Sequence, residues 1–198
     1  RPIVNNKENL TITPEQIVHE KCIVISEAAL GNGVYENICD VVYIVPEKFN
    51  AAETWQLAQE IEQLNKKMIA EKRNYLLIGP GRWGSSDPWL GIPVKWSQIS
   101  AARVIVEAGM NHFHIEPSQG THFFQNLTSF RVAYFTVNDF IKQGMYNTAF
   151  LNAQEALFDN GVIRHVRFDQ PMEILVDGKK HLGVVSMPGM KAISVGLN

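Results

Sequence analysis

The chain has 198 residues, 45% of them apolar, and a formal net charge of −2, which is enough to bury the core of one large domain. Acids and bases are intermixed, without the basic stripe of a nucleic-acid binder. No apolar run reaches the roughly 18 residues of a membrane span and no signal peptide is evident, so the cytoplasm is the expected location.

The chain begins at Arg1-Pro2-Ile3 without an initiator methionine, and a piece of a longer polypeptide is expected. Residues 1–12 are polar and asparagine-rich and read as a linker or arm. Thr13-Pro14-Glu15-Gln16 is a helix start, with threonine as cap, proline at the first helical position and glutamine placed to reach back to the cap. That helix is expected to stop near Lys21, before a strand over Cys22 to Ser26. Gly31-Asn32-Gly33 reads as a plain turn, since no lysine and no clear helix follow it as in a phosphate loop. Asp40 to Val45 is a strong strand.

Asn50 caps the longest predicted helix, and Glu53 completes an Asn-x-x-Glu capping box. Leu57, Ile61, Leu64 and Met68 share one face of it, opposite Gln59, Glu62, Lys66 and Lys67. The apolar run Tyr75 to Ile78 follows at once. Strand, helix and strand in this order predict a crossover between parallel strands, with the next loop at a strand's C-terminal end, where open α/β sheets bind ligands.

That loop is the most unusual stretch of the chain. Residues 79–93 hold four glycines and three prolines, which argues against regular structure, together with Arg82, Trp83, Ser85, Ser86, Asp87 and Trp89. Beyond it, Ala101 to Glu107 reads as a strand ended by Gly109. His112 to Glu116 alternates, Pro117 to Gly120 is a turn, and Thr121 caps a helix carrying His122. Arg131 to Val137 is again a strand, which gives a second strand–loop–helix–strand unit. A weaker helix is predicted over Thr148 to Phe158. Three strands follow, Val162 to Phe168, Met172 to Val176 and His181 to Ser186, the last two joined by the hairpin signal Asp177-Gly178-Lys179-Lys180. Residues 188–198 read as a tail. The fold class is α/β: a mixed, partly parallel sheet with flanking helices and a C-terminal β-hairpin region, forming a single domain over 13–187 with a conceivable subdivision near 140–160.

Three constellations carry potential chemistry. Arg82 offers a bidentate fork for a phosphate or carboxylate, and the N–H groups of Gly81, Gly84, Ser85 and Ser86 are candidates to line an anion cavity. Asp87 would orient Arg82 or hold a metal. The competing reading pairs Arg82 with Asp87 and wedges Trp83 and Trp89 into the core. In Gly120-Thr121-His122, a histidine follows a glycine turn at a helix N-terminus, a setting that favours a phosphohistidine and keeps the imidazole neutral; the alternative is a structural histidine beside Phe123 and Phe124. His112, His114 and Glu116 are weighed as metal ligands, but no downstream partner completes the set. Cys22 and Cys39 lie in apolar strand-like runs and read as buried free thiols.

Several blocks together resemble a known family. Arg1-Pro2-Ile3 resembles the end of the ATP-grasp domain in phosphoenolpyruvate synthase and pyruvate phosphate dikinase. Leu30 to Gly33, Leu77 to Val94 and Pro117 to Leu127 resemble the region after that domain in bacterial proteins of the group. The resemblance covers most of residues 1–187. It implies the C-terminal module of an ATP-dependent phosphotransferase, with ATP and Mg serving the full-length protein, the upstream ATP-grasp domain as partner in the same chain, and a small anionic ligand. It also places Gly120-Thr121-His122 in a setting like that of the family's phospho-accepting histidine, so His122 is the candidate phosphoryl relay. The family's double glycine and Ser-His-Ala are absent here, Phe123-Phe124 stands where small residues are expected, and the PEP-binding barrel is missing, so the fragment alone is not expected to turn over. The rival reading is a non-catalytic structural or docking module with a vestigial anion pocket.

Overall fold

A computed structural model describes residues 10–85, 87, 91–109, 131–138 and 143–194. Among them, one mixed sheet organises the chain. Its strands are β1 (Cys22–Ser26), β2 (Gly33–Ile44), β3 (Tyr75–Pro80), β6 (Ala102–Gly109), β7 (Ala133–Asn138), β8 (Met145–Tyr146), β9 (Phe158–Asp159), β10 (Ile163–Asp177) and β11 (Leu182–Ser186). A small separate ladder joins β4 (Arg82–Trp83) to β5 (Gly91–Ile92). The order across the main sheet is β7-β6-β3-β2-β10-β11-β1-β8, with β9 against β10.

The sheet has a parallel half and an antiparallel half. β2, β3, β6 and β7 run parallel, whereas β10, β11, β1 and β8 are antiparallel. The parallel pairing of β2 and β3 around helix α1 (Thr54–Ala70) is what the strand–helix–strand order predicts. β3 is buried along its whole length, as suits a central parallel strand covered on both faces. Leu57, Ile61, Leu64 and Met68 of α1 pack on Leu77, Ile105 and Tyr134, each contributing about 1.5–3 kcal/mol by leaving water.

The opposite face of the sheet closes on itself. Val24, Val41, Leu76, Val106, Phe135, Val166, Ile174 and Val185, drawn from both halves, share one cluster. The two ends of the sheet approach there: Ser26 Oγ donates to Thr136 O at 2.8 Å, and Leu30 bridges to Tyr134. Gly183 is required by this closure, because a Cβ there would lie 2.4 Å from the Phe135 ring. A third cluster, with Ile12, Ile17, Leu175, Val184 and Ala192, covers the outer face of the antiparallel half. Within the segments read as arm and tail, Ile12 N donates to Asp177 Oδ2 at 2.9 Å and Ile193 bridges to Ile17.

Several predicted elements differ in detail. The first helix is two single 3-10 turns, Pro14–Gln16 and His19–Lys21, although the Thr13–Gln16 capping box is present. The Asn50 side chain caps Ala52 N, and a 3-10 turn over Ala51–Glu53 precedes α1. The helix expected over 148–158 stops at Asn152 (α2, Thr148–Asn152), because Phe158 and Asp159 pair instead with His165 and Arg164 of β10; sheet pairing overrides a weak helical preference. The strands expected over 162–168 and 172–176 are one strand, β10. Its exposed Asp169-Gln170-Pro171 stretch is a bulge against β2, which is where a strand tolerates proline.

The glycine–proline loop also contains strand. Gly91 passes so close to β4 that a Cβ on it would lie 1.7 Å from the Arg82 carbonyl oxygen. Glycine thus permits the β4–β5 ladder rather than preventing it. The Gly31–Gly33 turn is stitched to the hairpin, with Gly178 against the Gly31 carbonyl.

Candidate functional site

β3, β6 and β7 end side by side, with Gly79 opposite Glu107 and Glu107 opposite Thr136. The chain turns out of β3 at Gly81, whose φ of 79° lies in the left-handed region and whose N–H donates to Ala108 O at 3.1 Å. Arg82 and Trp83 follow as β4. The Trp83 ring lies over Gly79, where a Cβ would come within 2.5 Å of it, and its Nε1 donates to Val106 O at 3.0 Å. Trp83 is buried and belongs to the α1-side core. Trp83 therefore wedges the loop onto the sheet, which is one part of the competing sequence reading. Gly84, also at positive φ, donates its N–H to Ile92 O at 2.8 Å. The N–H groups of Gly81 and Gly84 are thus engaged by backbone carbonyls and do not line an anion cavity. Ser85 Oγ and the Asp87 backbone hold each other, and Asp87 O accepts from Gly91 N at 3.2 Å.

Beneath this loop lies a carboxyl group that the sequence reading did not single out. Glu107 is fully buried. Its Oε2 accepts the Trp83 N–H at 3.2 Å and the Tyr134 hydroxyl. Its Oε1 has no hydrogen-bond partner among the described residues. Burial pushes the carboxyl up to about 7, against the opposing pull of the Tyr134 and Trp83 hydrogen bonds and the Arg82 charge. Burial also drives the Tyr134 hydroxyl well above its ordinary value, and the neighbouring Glu107 adds to this. A buried acid with a raised pKa, at the C-terminal edge of parallel strands and within reach of an arginine's field, is a functional-site pattern. Its sequence signal was a single glutamate inside the apolar run Val104 to Ala108.

A second polar cluster sits beside the start of β3, under the C-terminus of α1. Asp40 is buried and accepts from His165 Nε2 at 2.6 Å, Arg167 Nε at 2.7 Å and Arg73 at 3.3 Å. Arg167 also pairs with Glu71 at 2.5 Å. Burial pushes the Asp40 carboxyl up, but the His165 and Arg167 hydrogen bonds outweigh it and hold it below its ordinary value. Every partner here comes from the fold itself, so this cluster reads as a structural tie between β2, β10 and α1.

Of the residues singled out in the sequence, the structure places Gly81, Arg82, Gly84, Ser85 and Asp87 in the one loop above Glu107. Ser86, Trp89, His112, His114, Glu116, Gly120, Thr121 and His122 lie outside the described residues. Cys22 is buried and its thiol is pushed up to about 11 by burial, while Cys39 is only half-buried. Among the described residues, no three His, Cys, Asp or Glu side chains come together as a metal cluster, and no helix is long and apolar enough to cross a membrane. No family model, curated protein or solved structure matches the chain.

Proposed function

We propose that this chain binds a small phosphate- or carboxylate-bearing ligand at the C-terminal ends of β3, β6 and β7, as the C-terminal module of a phosphoenolpyruvate-synthase-like, ATP-dependent phosphotransferase. The observation that carries the binding site is the fully buried Glu107 of β6, with one oxygen on the Trp83 N–H of β4, the residue after Arg82, and the other oxygen without a partner among the described residues. The assignment to a phosphotransferase rests on the resemblance of Leu77 to Val94 and Pro117 to Leu127 to that family. In this reading the upstream ATP-grasp domain supplies ATP and Mg, and His122 is the phosphoryl relay of the full-length protein.

Calorimetric titration with phosphoenolpyruvate tests the site. The wild-type chain should bind saturably, and Arg82→Ala should weaken binding at least about tenfold, the equivalent of about 1.4 kcal/mol. Equal affinity in both proteins, or no saturable binding, would remove the anion site. Loss of ATP-dependent labelling of the full-length protein in His122→Ala tests the relay separately. The buried Trp83 wedge favours a second reading, a docking module without a ligand, and absent binding together with intact folding would select it.

A further inference from the structure

The two oxygens of Glu107 are not equivalent. Oε2 receives two donors, the Trp83 N–H and the Tyr134 hydroxyl, and therefore plays the part of the carbonyl oxygen when the group is protonated. The acid proton then resides on Oε1, which has no acceptor among the described residues. A buried O–H without an acceptor is costly, and a ligand or ordered water that completes it would remove that cost. The carboxyl lies directly under the β4 backbone, one residue from Arg82. An anion held by Arg82 would meet an ionised Glu107 as a like charge in a water-poor setting, but a protonated Glu107 as a hydrogen-bond donor.

We infer that Glu107 is a ligand-contacting proton donor of this site, so that an oxyanion binds at Arg82 together with one proton carried on Glu107 Oε1. This rests on the anion-site reading above and adds to it the chemistry of the acceptor: the ligand presents an unprotonated oxygen, as in a phosphate dianion or a carboxylate. The balance is simple. One proton passes from solvent to the carboxylate as the anion enters, and no covalent bond forms or breaks. Among the described residues, the charged and titratable groups that face Glu107 are Arg82 from β4 and Tyr134 from β7. Burial keeps the Tyr134 hydroxyl protonated through the neutral range, which leaves Glu107 as the group that titrates there.

Sulfate is the appropriate probe, because its own charge is constant from pH 5 to pH 9. Titration of the whole chain at a series of pH values should show the dissociation constant rising about tenfold per pH unit above pH 7. In buffers of different ionisation enthalpy at pH 8, wild type should take up close to one proton per sulfate bound. Glu107→Gln, which keeps a neutral group of the same shape, should bind sulfate at pH 8 more tightly than wild type and with little pH dependence. A wild-type profile flat from pH 6 to pH 9, or a slope that Glu107→Gln leaves unchanged, would overturn the inference. If Arg82→Ala still abolished binding in that case, the anion site itself would stand. No saturable binding of sulfate by wild type at pH 6 would overturn both. The buffer experiment needs no variant, so a Glu107→Gln protein that fails to fold does not block the test.

Discussion

Replacing Asp40 by asparagine isolates the charge at the centre of the second polar cluster. The wild-type carboxylate is 1% exposed and holds three cationic or hydrogen-bonding partners, His165 and Arg167 on Oδ2 and Arg73 on Oδ1. Asparagine keeps the volume but removes the negative charge, leaving a fully buried His165 and a mostly buried Arg167 facing a neutral amide. Breaking a buried ion pair from one side costs about 3–5 kcal/mol. Arg167 keeps Glu71 at a partly exposed position, which puts the expected loss at the lower end, about 3 kcal/mol. For a domain of this size that is a fall in Tm of about 6–12 °C. Urea unfolding followed by tryptophan fluorescence at pH 7 measures it. The pH dependence gives a second reading. The Asp40 carboxyl is held below its ordinary value of 3.8 in the folded state, so its stabilisation is present above that value and is lost as pH falls below it. The stability difference between wild type and Asp40→Asn should therefore begin to narrow as the pH falls below 3.8. A loss below about 1 kcal/mol at pH 7, the size of an exposed pair, would refute the view of Asp40 as a buried tie.

Glu107 titrates with the opposite sign. Its folded-state pKa is raised from 4.5 to about 7 by burial, so the stabilisation belongs to low pH, is complete below about 4.5, and is lost as pH rises through 7; the span corresponds to about 3 kcal/mol at most. Urea midpoints of wild type should fall between pH 5 and pH 8 while those of Glu107→Gln stay level, and a level wild type would contradict the burial argument. Trp83→Ala removes a buried ring and its bond to Val106, for an expected loss of about 3–5 kcal/mol; a value under about 1 kcal/mol would mean the ring does not anchor the loop. Gly91→Ala forces a methyl group onto the Arg82 carbonyl, with about 1–3 kcal/mol of strain expected and weakened sulfate binding as β4 is displaced. Unchanged affinity in that variant would show that Arg82 does not depend on the ladder for its position.

The parallel half of the fold is legible in the sequence because its signals are local and periodic. The α1 stripe at Leu57, Ile61, Leu64 and Met68 and the apolar run from Tyr75 determine where helix and strands fall, and their order determines parallel pairing. The closing of the sheet is not legible. It depends on Gly183 making room for Phe135 and on Ser26 reaching Thr136 across 110 residues, and no local pattern encodes such a match. The single bent β10 escaped for a related reason: Pro171 reads as a break unless the bulge against β2 is known. At the site, the loop residues stood out by composition, whereas Glu107 and Tyr134 looked like ordinary strand positions. Their meaning comes from register, which sets Glu107 next to Gly79 on one side and Thr136 on the other.

The geometry also changes the relation between the two readings of the loop. From sequence, the Arg82 ligand site competes with a reading that pairs Arg82 with Asp87 and wedges Trp83 and Trp89 into the core, and two elements of these readings, the Trp83 wedge and an Arg82 ligand, need not exclude each other. In the folded chain they occupy different atoms. The wedge uses the Trp83 ring and indole N–H, which Gly79 and Val106 receive. The Trp83 backbone N–H meanwhile fixes one oxygen of Glu107 and leaves the other open. A glycine-rich loop would otherwise lose much conformational entropy on binding. Trp83 is held by the wedge and the β4–β5 ladder, and Arg82 extends from a strand rather than from a free loop. Pre-organisation of this kind lowers the cost of binding. The tryptophan anchor is therefore compatible with the proposed site, and in that reading weakening the anchor should reduce anion affinity along with stability.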